Sequence, residues 1–501
     1  MLIASKVAGQ SSIFLAGNVF TLVVGFTFQI YLARNLGAEG LGVFGLLESV
    51  IGSIVALLGL GIAQTALRFL PEHMVRQEYA KVYSLIKGGA YLLTLLGALA
   101  VAVIIMLLPW LMPLSADFGV YSKEVLSAVL LIPLGLLLYF FSQVLRGFYD
   151  VRHIVFGTSF LQLTVKLMVA MPVLWFGYGV LGYIWAVVVS TTIALGWMLL
   201  GVRKHLSKIP DASKLVRVND HQWQAYSRIM YGFALLQFWV APLERFLVGY
   251  IAGVGAIGIV MICKLLASLP GIFLQMFLSI VAPMMSSANA LGNIEEVEHI
   301  YQMTTDWLVR LSLPLIIFLM IFTTPTLRLF REEFALTGSL LLRLLLLAQL
   351  INLLCGPIGN VLNMCGFEKK LFQISIVSVA LTAGTLIVAV YLLGIVGVGL
   401  SVLLGTAYSN LAALKAAQVG LQIRWWNPRY MHWLLPSVIT VCVALLLSLY
   451  VAQPLGLAVS ICILYLVFHA SQWLIHGFNI DDQEVWMSLR SKYLTGAKER
   501  L

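Results

Sequence analysis

Charge is what this chain has least of. Charged residues make up 10% of its 501 positions while hydrophobic residues make up 61%, where a soluble domain carries about 25% charged residues. A globule of this length cannot hide so much apolar surface, so lipid must be its solvent. Also missing are a Walker loop, a dinucleotide fingerprint and any cluster of metal-ligand spacing, which excludes an ATPase domain, a nicotinamide enzyme and a metalloenzyme. The alternating pattern of a membrane β-barrel is absent. The five cysteines, Cys263, Cys355, Cys365, Cys442 and Cys462, lie in or at apolar runs, where they read as small core residues and not as disulfides or metal ligands. The first apolar run has neither a charged n-region nor a cleavage site before it, so it reads as a retained helix.

What is present is a series of long apolar runs with a mean hydropathy of +0.98 over the chain. Crossing a bilayer by helix takes roughly 20 apolar residues. The runs predict an all-α polytopic membrane protein of about fourteen spans, near 11–33, 42–66, 88–111, 124–145, 153–176, 179–202, 229–251, 255–281, 307–329, 339–363, 371–393, 397–418, 431–451 and 455–476. Pro109, Pro133, Pro172, Pro242, Pro270, Pro314, Pro357 and Pro436 fall in or at the ends of these spans. Such prolines are tolerated where neighbouring helices or water satisfy the freed carbonyls.

The chain repeats itself. Gly37-Ala38-Glu39-Gly40-Leu41-Gly42 is echoed by Gly253-Val254-Gly255-Ala256-Ile257-Gly258, Val144-Leu145 by Val361-Leu362, and Gly177…Gly182 by Gly394…Gly399. The near-constant offset predicts two six-helix lobes, at 1–210 and 211–420, followed by two further helices and a tail at 421–501. Two similar halves in a membrane protein point to a transporter with its substrate handled between the lobes.

Lysine and arginine set an orientation. With the N-terminus inside, only Arg34, Lys123, Arg328, Arg331 and Arg343 fall outside, and Lys166, Arg245, Lys264 and Arg310 lie in spans or at their edges. All the rest of the 31 basic residues fall on the inner side. That asymmetry predicts cytoplasmic termini, and it makes the net charge of +10 an orientation signal with attraction to anionic headgroups, not a nucleic-acid footprint. The longest outer connection is Met112–Lys123 and the longest inner one Arg203–Arg228. Within a second inner segment, 282–306, Glu295, Glu296 and Glu298 suggest a surface helix. No segment is long enough to be a soluble domain, and no catalytic constellation is evident, so transport without chemistry is the expected activity.

Ionisable residues inside the membrane are expensive and usually face a cavity or a partner. Glu244 precedes the turn at Gly253 by nine residues and Lys264 follows it by eleven, which at a rise of about 1.5 Å per residue puts both roughly 14–16 Å from the helix ends. Two readings follow, a buried pair that neutralises itself or part of a cavity lining. Arg245 points about 100° away from Glu244 and needs its own partner or its own water. At the repeat offset Gln29 aligns with Arg245 and Glu48 with Lys264, so matching depths in the two halves carry polar groups. Lys166 lies near mid-membrane with no acidic neighbour in sequence. Arg245, Lys264, Lys166 and Gln29 are therefore the candidate substrate-binding residues, and Glu48 and Glu244 the candidates for coupling to protons or sodium. Arg34, Arg310 and Arg343 are close to helix ends and are expected to snorkel to the headgroups.

With these features, and with the Ala33–Gly42 turn, the Arg68-Phe69-Leu70-Pro71-Glu72 exit and the Gly366-Phe367-Glu368-Lys369-Lys370 stretch, the chain resembles the polysaccharide-transporter branch of the multidrug/oligosaccharidyl-lipid/polysaccharide exporter superfamily. That branch contains the O-antigen and exopolysaccharide repeat-unit flippases. The resemblance covers nearly the whole chain. It implies a bacterial inner-membrane protein that moves a polyprenyl-diphosphate-linked oligosaccharide from the inner to the outer leaflet by alternating access. It also implies no cofactor beyond a coupling proton or sodium ion, and a setting beside the polysaccharide polymerase machinery. On the residue reading, the cations would offset the diphosphate charge. The superfamily includes two alternatives, a cation-coupled multidrug exporter and a lipid II flippase. The drug exporter would favour acidic groups, and the first span has none. A membrane glycosyltransferase would need a larger loop for its acceptor.

Overall fold

The computed structural model describes residues 2–111, 121–207, 210, 221–238, 240–450 and 453–477. Most of the outer connection Met112–Lys123, the centre of the inner loop Arg203–Arg228 and the C-terminal tail lie outside the described residues. Among the described residues the expected spans fall on helices and their breaks, and no strand occurs. Among the described residues, eleven helices are long and apolar enough to cross a membrane, or twelve when the bent pair Val254–Ser268 and Gly271–Leu278 counts as one span. The count falls short of fourteen because the first two expected spans are joined and the seventh, 229–251, contains residue 239, which lies outside the described residues; the eighth and the fifth are present but irregular. The first two expected spans run as Leu2–Leu58 with a break at Gly37 (φ 67°, ψ −176°), since an unbroken helix of that length would far exceed a hydrocarbon core of about 30 Å. The eighth span bends by 52° at the Leu269-Pro270 junction, where proline cannot donate to the helix ladder. The fifth span contains a π-helical stretch, Phe156–Gln162, between Val151–Val155 and Leu163–Trp175.

The expected surface helix around Glu295 is instead the start of the ninth span. Ile294–Ile321 is one continuous helix, with Asn293 accepting from the Glu296 backbone N–H and with Glu295 and Glu296 in its first turn. An Asx cap and carboxylates at the positive end of the helix dipole fix that start.

The packing inverts the soluble rule. The most apolar span, Tyr79–Pro109 (mean hydropathy 2.7), has 11% of its central window buried, whereas Ile294–Ile321 (1.6) has 61%. Lipid tails solvate leucine as well as a protein core does, so the greasiest helix can face outward. Cys263, Cys355 and Cys365 are buried as expected, but Cys442 and Cys462 lie on exposed helix faces and are not core residues.

The chain forms two compact units, Met1–Gly258 and Ile259–Leu501. This boundary falls later than the lobe boundary expected near residue 210, because His221–Phe238 packs on Ile62–Val75 and Val240–Ala252 packs on Leu2–Leu58. The core of the first unit is built from Phe69, Leu70, Val82, Ile132, Phe140, Val144 and Met198. In the second, Met285, Val297, Tyr301, Ile358, Leu362 and Ala417 cluster, and the C-terminal helices Leu434–Ser448 and Pro454–His476 pack on Ile294–Ile321.

The repeat is written into the backbone. Positive φ recurs at Gly37 and Gly253, Gln77 and Gly292, Tyr149 and Gly366, and Gly177 and Gly394, each pair 215–217 residues apart. Helix starts recur with them, at Tyr79 and Ile294, Val151 and Glu368, and Gly179 and Val396. Within the first unit the two copies of the first turn touch. A Cβ on Gly42 would stand 1.9 Å from the Val254 carbonyl oxygen, and one on Gly258 would stand 2.1 Å from the Ala38 carbonyl oxygen. An offset of 216 residues carries Ala38 to Val254 and Gly42 to Gly258, so the two contacts are one self-complementary contact seen from both sides.

The turn at Tyr149 is held by the next residue. Asp150 Oδ1 accepts from the His153 backbone N–H at 3.3 Å, and Oδ2 lies 2.8 Å from His205 Nε2. Burial pushes the Asp150 carboxyl up, but the hydrogen bonds from His205 and His153 outweigh it and hold the group below its ordinary value.

Two expectations follow. Gly42→Ala should cost about 1–3 kcal/mol, read as a lower thermal midpoint of the purified protein. Gly88→Ala, whose added Cβ meets nothing within 4 Å, should be neutral or slightly stabilising; equal midpoints for the two variants would refute the close contact. Asp150→Asn keeps the helix cap but loses the charge, and should destabilise by about 1 kcal/mol at neutral pH. A carboxyl whose folded value is depressed contributes above its unfolded value and loses that contribution in acid. The deficit should therefore persist from pH 8 to pH 5 and shrink only near and below 3.8; a deficit that vanishes between pH 8 and 5 would contradict this.

Candidate functional site

The site forms where the helix Val240–Ala252 lies against the second half of Leu2–Leu58. Arg245 Nη1 donates to the Gly45 carbonyl oxygen at 2.9 Å, to Glu48 Oε2 at 3.0 Å and to Ser49 Oγ at 2.8 Å. Residues 45, 48 and 49 stand at i, i+3 and i+4 and so share one helix face. Arg245 therefore does have its own partner, and it is Glu48, nearly two hundred residues earlier. All three bonds use one nitrogen, and among the described residues Nε and Nη2 have no protein acceptor. The Arg245 side chain is 26% exposed and that of Glu48 53%. A half-exposed carboxylate within a span cannot rest in hydrocarbon, so this edge of the first unit is wet.

Lys166 joins the same cluster. It follows the π-helical stretch on Leu163–Trp175, its Nζ lies 5.8 Å from the centroid of the Phe28 ring, and it is within electrostatic reach of Glu48. Buried Tyr183 packs edge-on against Phe44 with ring centroids 4.7 Å apart and lies 6.2 Å from the Phe28 ring. Arg245, Glu48 and Lys166 are thus brought together within the first unit, two cations to one carboxylate. Gln29, half-buried beside Phe28, has no side-chain hydrogen bond among the described residues. Glu244 is buried and Lys264 half-buried; each is engaged within the protein, the first in one unit and the second in the other.

Sequence reasoning misplaced Arg310. Instead of reaching outward it is partly buried, its side chain 12% exposed, and paired with Asp306 one turn earlier on the same helix, and Asp306 Oδ1 also accepts from Trp433 Nε1 at 2.7 Å. The i,i+4 spacing was the available signal. This pair fastens the C-terminal helices to the ninth span. Arg34 and Arg343 are exposed. A second knot escaped the sequence altogether. Trp223 Nε1 donates to His73 Nε2 at 3.1 Å, and His73 Nδ1 lies 2.6 Å from Glu78 Oε2. The Trp223 bond requires Nε2 to be the acceptor, which leaves Nδ1–H to donate to Glu78. Hydrogen bonds from His73 and Lys81 hold the Glu78 carboxyl below its ordinary range. Both knots tie helices together.

The MatE family model matches residues 233–388, which include the Arg245 helix. No curated protein sequence matches the chain. Among solved structures, an inward-facing multidrug resistance MATE family transporter of the MOP superfamily is similar at 16% identity, with a TM-score of 0.66 over 80% of this chain and 94% of that one. The lipid II flippase MurJ in an inward closed conformation matches at 13% identity, with a TM-score of 0.69 over 92% and 98% of the two chains. A MOP superfamily transporter from Pyrococcus furiosus, described as having reverse polarity of its binding pocket, matches at 15% identity, with a TM-score of 0.57 over 82% and 96%. Taken with the helix count, the repeated turns and the family model over the start of the second repeat, these likenesses establish that the chain carries the fold of the MOP-superfamily transporters.

Proposed function

We propose that the chain is a bacterial inner-membrane flippase, with both termini cytoplasmic, that moves a polyprenyl-diphosphate-linked oligosaccharide from the inner to the outer leaflet. The observation that carries this reading is the Arg245–Glu48–Lys166 cluster. It has an excess of positive charge within the spans, and the guanidinium has one nitrogen committed to protein while Nε and Nη2 remain available. A diphosphate leaving water needs such charge-assisted donors, because an uncompensated charge is not desolvated. Lys264 and Gln29 are assigned to the same task from the depth argument. The membrane potential, worth about 2.3 kcal/mol per charge per 100 mV, favours outward movement of a net anion when the inside is negative. Glu48 is the coupling residue in this reading, since protonation or sodium binding there would release Arg245 toward substrate. Glu244 is the second coupling candidate.

A specific observation favours a second reading, a cation-coupled multidrug exporter. The half-exposed Glu48 carboxylate suits a cationic substrate, and the MatE match and the multidrug neighbours support it comparably. A lipid II flippase is a variant of the first reading with a different sugar, favoured by the likeness to MurJ over most of both chains.

Arg245→Ala should reduce export by roughly ten- to a hundredfold, the loss expected for hydrogen bonds to a charged group, with the protein still in the membrane at wild-type level. The measurement is surface polysaccharide together with diphosphate-linked intermediates retained on the inner leaflet. Normal surface polymer would refute the anion site, and raised sensitivity to cationic drugs in a deletion strain would favour the exporter. Glu48→Gln should leave diphosphate binding intact or tighter while making transport insensitive to collapse of the proton or sodium gradient. A response like that of wild type would remove Glu48 from coupling.

A further inference from the structure

The second unit contains a polar cleft that the cation cluster does not use. It lies between the helices Glu332–Leu354, Glu368–Leu393 and Val396–Leu421, all long and apolar enough to be spans. Its volume is about 290 Å³, and it is lined by Asn352, Ser378, Thr382, Thr406, Ser409 and Asn410, with Val402 and Gly405. Among the described residues no charged side chain lines it. Residues 402, 405, 406 and 409 stand at i, i+3, i+4 and i+7 and form one helix face, opposed by Ser378 and Thr382 one turn apart on the neighbouring helix.

These polar groups are only partly spent within the protein. Ser378 Oγ donates to the Gly405 carbonyl oxygen at 2.9 Å, and Thr382 Oγ1 donates to the Ser378 carbonyl oxygen at 2.8 Å. Asn410 Nδ2 donates to the Thr406 carbonyl oxygen at 3.0 Å and to Asn352 Oδ1 at 3.3 Å. Each hydroxyl that donates in this way still presents its lone pairs to the cleft, as does the Asn410 amide oxygen. Thr406 and Ser409 hydroxyls and the Asn352 amide nitrogen have no protein partner among the described residues. The cleft therefore offers several acceptors, two free hydroxyls that both donate and accept, and an amide donor. Hydrogen-bonding groups gathered at one point within apolar spans are costly unless water or a ligand answers them.

The geometry points to a binding site for a single neutral sugar ring. A ring of hydroxyls supplies donors and acceptors alternately around its edge, which is the complement of a lining of hydroxyls and carboxamides. At about 30 Å³ of liquid volume per water molecule, the cleft holds roughly ten waters, the bulk of one pyranose. The absence of charged groups in the lining argues against an anionic sugar or an organic cation. The site deepens the oligosaccharide reading and rests on it for its place in transport, but binding is separable, because a free sugar carries neither diphosphate nor lipid.

The test is saturation-transfer NMR on the purified full chain with D-glucose, D-galactose, N-acetylglucosamine and glucuronate, each alone. At least one neutral sugar should receive saturation and glucuronate should not. Combining Thr382→Val with Ser409→Ala should weaken that binding roughly tenfold, the loss of two hydrogen bonds, without lowering the thermal midpoint; Ser409→Ala alone should weaken it severalfold and serves if the double variant does not fold. No transfer to any neutral sugar overturns the assignment, as does transfer that is undiminished in the folded variants. Either result is read in detergent without export, so it stands apart from the outcome for Arg245→Ala.

Discussion

The reciprocal approach of two glycine turns is the constraint on which the first unit depends. Gly42 meets the Val254 carbonyl and Gly258 meets the Ala38 carbonyl with no room for a methyl group on either side. Backbone against backbone fixes the approach of the two turns within this unit. Gly45, Glu48 and Ser49 continue down the helix that leaves one turn and Arg245 lies on the helix that enters the other turn. The bonds from Arg245 are short because the helices are already clamped a few residues away. Hydrophobic pressure cannot supply this precision in lipid, where helix association relies on close packing of small residues and on interhelical hydrogen bonds.

Much of the fold was legible in the sequence because the membrane imposes a length on every element. Apolar runs of roughly 20 residues mark spans, and the glycines at 37 and 253 mark the breaks between them. The repeat was visible at those turns, since a positive φ favours glycine. It was less visible where the same backbone is carried by Gln77 opposite Gly292 and by Tyr149 opposite Gly366, and there only the structure reveals it. The π-helical stretch and the later unit boundary left no readable mark, because both depend on which neighbours a helix packs against.

The candidate site was half legible. Charge within a span singled out Arg245, Lys166 and Glu48, because such residues are costly wherever the chain is folded. Their meeting was not legible: the pairing of Arg245 with Glu48 closes a long loop and has no local spacing to signal it. Arg310 shows the opposite error, a residue judged by its nearness to a helix end when its partner, Asp306, stood one turn away in the sequence. The neutral cleft around Ser378 and Ser409 drew no notice because serine and threonine in a membrane helix are ordinary, and only their convergence from separate helices distinguishes them.

The π-helical stretch at Phe156–Gln162 carries a consequence for Lys166. A widened turn holds one residue more than an α-helical turn, and each residue rotates the face of an α-helix by about 100°. Every side chain after the stretch is therefore turned by that angle from where an unbroken helix would aim it, and it is in this turned setting that the lysine lies over Phe28. The direction of that cation is thus a matter of counting rather than of chemistry. In the history of such a chain, the gain or loss of a single residue several positions upstream would re-aim the charge while leaving the lysine itself unchanged.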